Sequence, residues 1–211
     1  MPRKPAHEQG DTQHELRSRA FELFGRYGYE GVSIGDIAKQ ARLSKGALYW
    51  HFPGKDALYL DCLKKLHAIF NEYIFDVMRE EPDAVKSILA LFQGLGRMLQ
   101  DPRIEKGIGG FWLIPATPET AEIMTAQRAF EAASVKVISE VLRRDQEQGR
   151  MNLGGDLDDM ARAIITTVEA IVLPLRQLSR EEVQRMLGVL ARTFFRAYAS
   201  ADDLLQQTRQ L

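Results

Sequence analysis

Residues 23–58 read LFGRYGYEGVSIGDIAKQARLSKGALYWHFPGKDAL, and the punctuation of this stretch divides it into helices. Leu16, Ala20, Leu23, Phe24 and Tyr27 recur at the spacing of one helical face, and Gly28 stands where a left-handed cap ends that helix. Ser33, followed three residues later by Asp36, makes a capping box for a second helix with Ile37, Ala38 and Ala41 facing inward. Ser44 caps a third, with Leu43 and Leu48 placed to pack across its start as a hydrophobic staple, and Pro53-Gly54 stop it. Three short helices, the last two joined by Ala41-Arg42-Leu43-Ser44, fit a helix-turn-helix unit.

Helical spacing continues beyond this stretch. From Lys55 to about Glu80 runs a long helix with Leu58, Cys62, Leu66, Ile69, Tyr73 and Val77 on one stripe and Leu63, Phe70 and Ile74 beside it, roughly 39 Å in length. Val85, Ile88, Leu89, Phe92, Leu95 and Leu99 mark a further helix, and a short helical piece falls between Pro102 and Leu113. Thr117-Pro118 reads as the start of a long helix ending near Gly149. Residues 156–173 form another, stopped by Pro174, and Ser179 with Glu182 is a second capping box opening a helix through Val183, Leu187, Leu190, Phe194 and Tyr198 to about Ser200. No segment keeps strand alternation, so the expected fold class is all-α.

The chain has 211 residues, 45% of them hydrophobic and 27% charged, which places it among folded domains and away from disordered chains. Its net charge of -1 conceals a division. The first 55 residues carry nine Lys and Arg against six Asp and Glu, net +3, and the rest 19 against 23, net -4. A basic head on an acidic body is the distribution expected of a nucleic-acid reader. The single cysteine, Cys62, forms no intramolecular disulfide, and with no signal-like or membrane-spanning apolar run the expected location is the cytoplasm.

The run Ile37-Ala38, Ala41, Ser44-Lys45-Gly46, Leu48-Tyr49, His51-Phe52, Lys55 and Leu58 closely resembles the DNA-binding domain of the TetR family of bacterial transcriptional regulators. The resemblance covers about the first quarter of the chain. Two positions depart from the family pattern: Ser33 where threonine is usual, which keeps a hydroxyl for capping or for phosphate, and Arg42 where glycine is common in the turn. If that turn requires positive φ, arginine there carries a steric cost, although it adds a cation near DNA. Gly46 and Ala47 permit close approach to base edges, while Lys45 can contact guanine or phosphate. Tyr49, His51 and Lys55 suit backbone phosphates, and the helix starts at Ser33 and Ser44 add amide donors. Phe52 is expected in the core; Trp50 either packs on the first helix or stands at the groove wall. Arg3 and Lys4 either reach along the duplex as an arm or remain a solvated terminus.

The resemblance implies a helix-turn-helix DNA-binding domain over 1–54 and a helical ligand-binding and dimerisation domain over 55–211. It implies a homodimer through the last two long helices, reading a palindromic operator in double-stranded DNA. Leu157, Ala161, Ile164, Ile165, Val168 and Val172, with Leu187, Leu190 and Phe194, offer an apolar face for that contact or for the intrachain core. It also implies a pocket for a partly apolar small-molecule effector, which would shift the helix beginning at Lys55 like a lever. Candidate lining residues are Phe92, Leu95, Met98, Phe111, Trp112, Ile123, Met124, Gln127, Phe130 and Ser134; Gln127 and Ser134 set polar groups on an apolar helical face.

Catalysis is not expected. Gly107–Trp112, GIGGFW, follows no strand and lacks the Lys-Ser/Thr pair of a phosphate loop. The four histidines form no local metal pattern, Asp156, Asp158 and Asp159 lack calcium-loop spacing, and no cofactor is expected. The expected function is a ligand-released transcriptional repressor; the alternative is a ligand-independent architectural or adaptor DNA-binding protein, which would bind all sequences alike.

Overall fold

The computed structural model describes residues 6–172 and 179–198; the side chains of 6–11, 84, 171, 172 and 180 are not described. The positions named above as Arg3, Lys4, Leu173, Pro174 and Ser200 lie outside the described residues. Helices account for the regular structure, and no β-strand occurs among the described residues. They are α1 (Ala6–Tyr27), α2 (Ile34–Gln40), α3 (Lys45–His51), α4 (Lys55–Phe70), α5 (Asp76–Glu80), α6 (Ala84–Met98), α7 (Ala121–Glu147), α8 (Leu157–Val172) and α9 (Arg180–Tyr198). A π turn, Asn71–Phe75, joins α4 to α5, and 3-10 turns occupy Pro102–Ile104, Gly109–Trp112 and Pro118–Thr120. By packing, the chain forms two compact units, residues 1–67 with 106–128 and residues 68–105 with 129–211.

In the first unit the core grows from the faces that the periodicity marks. Leu16, Ala20, Leu23 and Phe24 of α1 are buried with Ile37, Ala38, Leu48, Phe52 and Leu58. Tyr27 is an exception: it stays largely exposed, with the Arg26 guanidinium 5.2 Å over its ring. Gly28 ends α1 at φ +77°, the left-handed conformation in which a Cβ is strained. Aromatic rings fill the centre of this unit, with Tyr59 4.7 Å from Phe24, 5.3 Å from Tyr29 and 5.3 Å from Phe111. Cys62 is buried beside them, and burial pushes its thiol well above the ordinary range, so it behaves as a small apolar side chain.

The second unit corrects one expectation. The long helix after Lys55 is continuous in direction of chain, but the π turn inserts one residue into its repeat, with the Asp76 amide reaching back to the Asn71 carbonyl. The buried stripe therefore runs Leu66, Ile69, Ile74, Met78 instead of Leu66, Ile69, Tyr73, Val77; Tyr73 and Val77 are half-buried. In α8 and α9 the inner face is Ala161, Val168, Val183, Leu187, Ala191 and Phe195. Leu187 thus belongs to the intrachain core rather than to an outward face, because it lies one helical turn from Val183 and Ala191.

A local ion pair closes α7. Gly149 adopts φ +68°, the Arg150 amide reaches the Asp145 carbonyl at 3.0 Å, and the Arg150 side chain lies 3.1 Å from Asp145 Oδ1 and 3.1 Å from Asp83 Oδ2. Such caps usually bring two apolar side chains together at these positions. Here the pair is charged, and Asp145 is fully buried.

Candidate nucleic-acid interface

The turn between α2 and α3 is built by caps that the sequence contains. Ser33 Oγ accepts from the Asp36 amide at 3.1 Å, and the Asp36 carboxylate accepts from the Ser33 amide at 3.1 Å and hydroxyl at 2.6 Å. Those bonds hold the Asp36 carboxyl below its usual range and engage the Ser33 proton, so a phosphate contact by Ser33 competes with its own cap. Ser44 Oγ accepts from the Ala47 amide at 3.1 Å and starts α3.

Between them Arg42 adopts φ +55°, the sole positive φ outside glycine among the described residues. Its amide bonds to the Lys39 carbonyl at 3.1 Å and the Leu43 amide to the Ala38 carbonyl at 2.8 Å, a left-handed cap that glycine normally fills. The arginine is exposed at this cap. Arg42→Gly is therefore expected to stabilise the fold by about 1 kcal/mol, seen as a higher urea midpoint at unchanged slope; an unmoved or lower midpoint would show that the turn is not strained.

Helix α3 has two faces. Leu48 and, at its C-cap, Phe52 are buried. Opposite them Lys45, Gly46, Tyr49 and Trp50 are exposed, Tyr49 by 53% and Trp50 by 69% of their surface, with Ala47 and His51 at the margin. Trp50 does not pack on α1; its ring meets His51 edge-on at 4.8 Å. Two neighbouring aromatic rings held in solvent on a seven-residue helix, beside Lys45 and Arg42, form an amphipathic and cationic surface. Lys55, expected on phosphate, has its ammonium 4.1 Å over the Tyr29 ring and so begins from an intramolecular cation–π contact.

Two residues that position this surface were not legible. Arg17 pairs with Asp61 at 3.0 Å and lies 5.6 Å over the Phe52 ring, tying α1 to the C-cap of α3. Tyr29 supports Lys55. Both act across long sequence separations, for which helical periodicity carries no signal.

The ten effector candidates divide between the units. Phe111, Trp112, Ile123, Met124 and Gln127 fall in the first; Phe92, Leu95, Met98, Phe130 and Ser134 fall in the second. Phe111 is a core ring. Gln127 Oε1 lies 3.0 Å from His67 Nε2, and burial lowers the His67 pKa, which favours the neutral ring. Ser134 donates to the Phe130 carbonyl of its own helix at 2.9 Å. Leu95 and Met98 are fully buried, and Phe130 meets Phe75 edge-on at 5.8 Å. Phe92 lines an apolar groove of ≈ 280 Å³ with Ile164, Val168, Leu190 and Phe194.

The fold and the exposed helix face together define a helix-turn-helix DNA-binding module. Residues 16–62 match the family model described as bacterial regulatory proteins, tetR family. The regulator LmrA of Bacillus subtilis is 32% identical over 87 residues, 41% of this chain and 46% of LmrA. IcaR of Staphylococcus aureus, described as a negative transcriptional regulator of the biofilm operon icaADBC, is 33% identical over 105 residues, 50% of this chain and 54% of IcaR. The chain thus spans about half the length of these two relatives. YezE of Bacillus subtilis, described as an uncharacterized HTH-type transcriptional regulator, is 32% identical over 153 residues, 69% of this chain and 75% of YezE. Among solved structures, a TetR-family regulator from Agrobacterium tumefaciens superposes with a TM-score of 0.74 at 20% identity, covering 91% of this chain and all of that one. A SmeT–triclosan complex gives 0.70 at 20% identity, covering 90% and 92%.

The chain belongs to the TetR family of bacterial transcriptional regulators. No helix among the described residues is long and apolar enough to cross a membrane.

Proposed function

We propose that the protein is a homodimeric repressor that reads a palindromic operator through α3 and is released by a partly apolar small molecule. The observation that carries this reading is the outward face of α3, where Lys45, Tyr49 and Trp50 stand exposed while Leu48 and Phe52 anchor the helix from behind. Lys45, Gly46 and Ala47 approach base edges; Ser33, Arg42, Ser44, Tyr49, Trp50, His51 and Lys55 contact the backbone or groove wall. Residues 1–54 supply DNA binding and 55–211 supply ligand binding and assembly.

Dimerisation through α8 and α9 is supported by their second apolar face. Ile164, Ile165, Leu190 and Phe194 are only half-buried, and Met186 and Val189 are exposed, although the opposite faces already fill the intrachain core. Two copies joined there can present recognition helices about 34 Å apart to successive major grooves. Repression fits because occupying a promoter needs no contact with polymerase, and IcaR is described as a negative regulator. Effector release is supported by the SmeT–triclosan complex on a similar fold.

The test is binding to a duplex selected by the protein from a randomised library. Specific binding should weaken steeply with salt, and Lys45→Ala should weaken the selected duplex and relax base preference at the position it contacts. Tyr49→Phe should weaken the complex several-fold by removing one hydroxyl donor. Equal affinity for every duplex would favour the architectural alternative. Triclosan is a first effector probe, and failure of any small molecule to shift operator affinity or thermal stability removes the ligand part of the reading.

A further inference from the structure

The glycines of the stretch Gly107–Trp112 bring its backbone directly onto that of α1. A Cβ on Gly110 would stand 2.2 Å from the Phe24 carbonyl oxygen, 2.6 Å from the Gly28 nitrogen and 2.9 Å from the Gly25 oxygen. A Cβ on Gly25 would stand 2.4 Å from the Gly107 oxygen. All four neighbours are backbone atoms, which cannot turn aside as a side chain can. Gly25 also lies inside a helix, where alanine is intrinsically better by about 1 kcal/mol, so close approach explains the glycine.

Side chains lock the contact. The Phe111 ring lies 5.2 Å from Phe21, the Tyr59 hydroxyl donates to the Phe111 carbonyl at 3.2 Å, and Lys106 Nζ is 2.8 Å from Glu22 Oε2. From this clasp one route leads to the start of α4 and another to the end of the reading helix. Tyr59 touches Tyr29, over which Lys55 sits; further back along α1, Arg17 covers Phe52, the C-cap of α3.

We propose that Gly25 and Gly110 are positioning residues for DNA recognition: their backbone contact fixes α1, and α1, through Arg17 on the Phe52 C-cap, sets the tilt of α3 that operator reading requires. Displacing the 106–112 segment relaxes that tilt and lowers specific affinity. The inference rests on the operator-binding reading.

The experiment compares full-length wild type, Gly25→Ala, Gly110→Ala and Gly96→Ala by fluorescence anisotropy, on the duplex selected by wild type and on a scrambled duplex. Gly96 is the control, since its Cβ would meet open space. Gly25→Ala and Gly110→Ala should lose about tenfold or more in affinity for the selected duplex, with scrambled-duplex binding and oligomeric state unchanged. Gly96→Ala should keep both. A folded Gly110→Ala that binds the selected duplex like wild type overturns the proposal; a wild type that selects no duplex removes the operator reading itself, and this inference with it. Should both clasp variants fail to fold, hydrogen exchange on wild type decides. The amides of Gly28, Phe111 and Leu113, bonded to Phe24, Ile108 and Gly110 carbonyls, should slow together when the selected duplex is added, and unchanged exchange there overturns the proposal.

Discussion

The stability contributed by Asp145 should fall by about 2 kcal/mol as pH rises from about 4 to 7, and Asp145→Asn should remove that fall. Asp145 is fully buried, and burial pushes its carboxyl up to about 6 from the ordinary 3.8, with Arg150 offsetting only part of the effect. Neither carboxylate oxygen accepts an aligned hydrogen bond from any described residue, although Arg150 Nη2 is 3.1 Å from Oδ1. Between the two pKa values the folded chain holds a proton that the unfolded chain has released. Stability from this group is therefore complete below about 3.8 and is lost as pH passes through about 6. Asp83 and Asp101 have depressed pKa values, and their contributions are lost in the other direction, as pH falls below the ordinary carboxylate range. The difference between wild type and Asp145→Asn isolates the buried acid. Denaturant melts at fixed protein concentration across this range supply the profile, and superimposable curves would falsify the assignment.

Gly94→Ala should cost about 3 kcal/mol or abolish cooperative unfolding, whereas Gly96→Ala, two residues along the same helix, should be neutral or stabilising by up to about 1 kcal/mol. A Cβ on Gly94 would lie 2.1 Å from the Tyr73 carbonyl oxygen in the π turn, while one on Gly96 meets nothing. The π turn cannot withdraw freely. Tyr73 donates its hydroxyl to buried Asp101 at 3.0 Å, Asp101 accepts from Arg103 Nε at 2.7 Å, and Arg103 Nη2 reaches Glu72 at 2.8 Å. Helix α6 must then move away from a pinned carbonyl and open the core around Leu91 and Leu95. Equal urea midpoints for the two alanine variants would show that the contact yields.

What could be read from the sequence was local. The Ser33–Asp36 and Ser179–Glu182 boxes form as their three-residue spacing requires, the second with the Ser179 amide donating to Glu182 at 2.7 Å. Gly28 and Gly149 take the left-handed conformation at helix ends, and the departure at Arg42 falls where the turn does require positive φ. The opposed fates of Tyr49 and Phe52 followed from period and motif together. Contacts between distant segments were not legible. Nothing in one-dimensional spacing brings Gln127 to His67, Arg17 to Asp61 or Gly110 to Gly25. Nor does a uniform 3.6-residue repeat reveal a π turn, because Tyr73 and Val77 are as apolar in outline as the residues that replace them inside.

That turn makes chain length a determinant of which residues are core. A π turn holds one residue more than an α turn, so deleting a single residue from 71–75 would convert it to an α turn and leave the residues after it on the same face, whereas the same deletion in an ordinary α turn would rotate everything after it by about 100°. A relative one residue shorter here, with an α turn in place of the π turn, keeps the same interior with its apolar residue one place earlier in its own count. An alignment drawn through this stretch without a gap pairs the surface of one protein with the core of another.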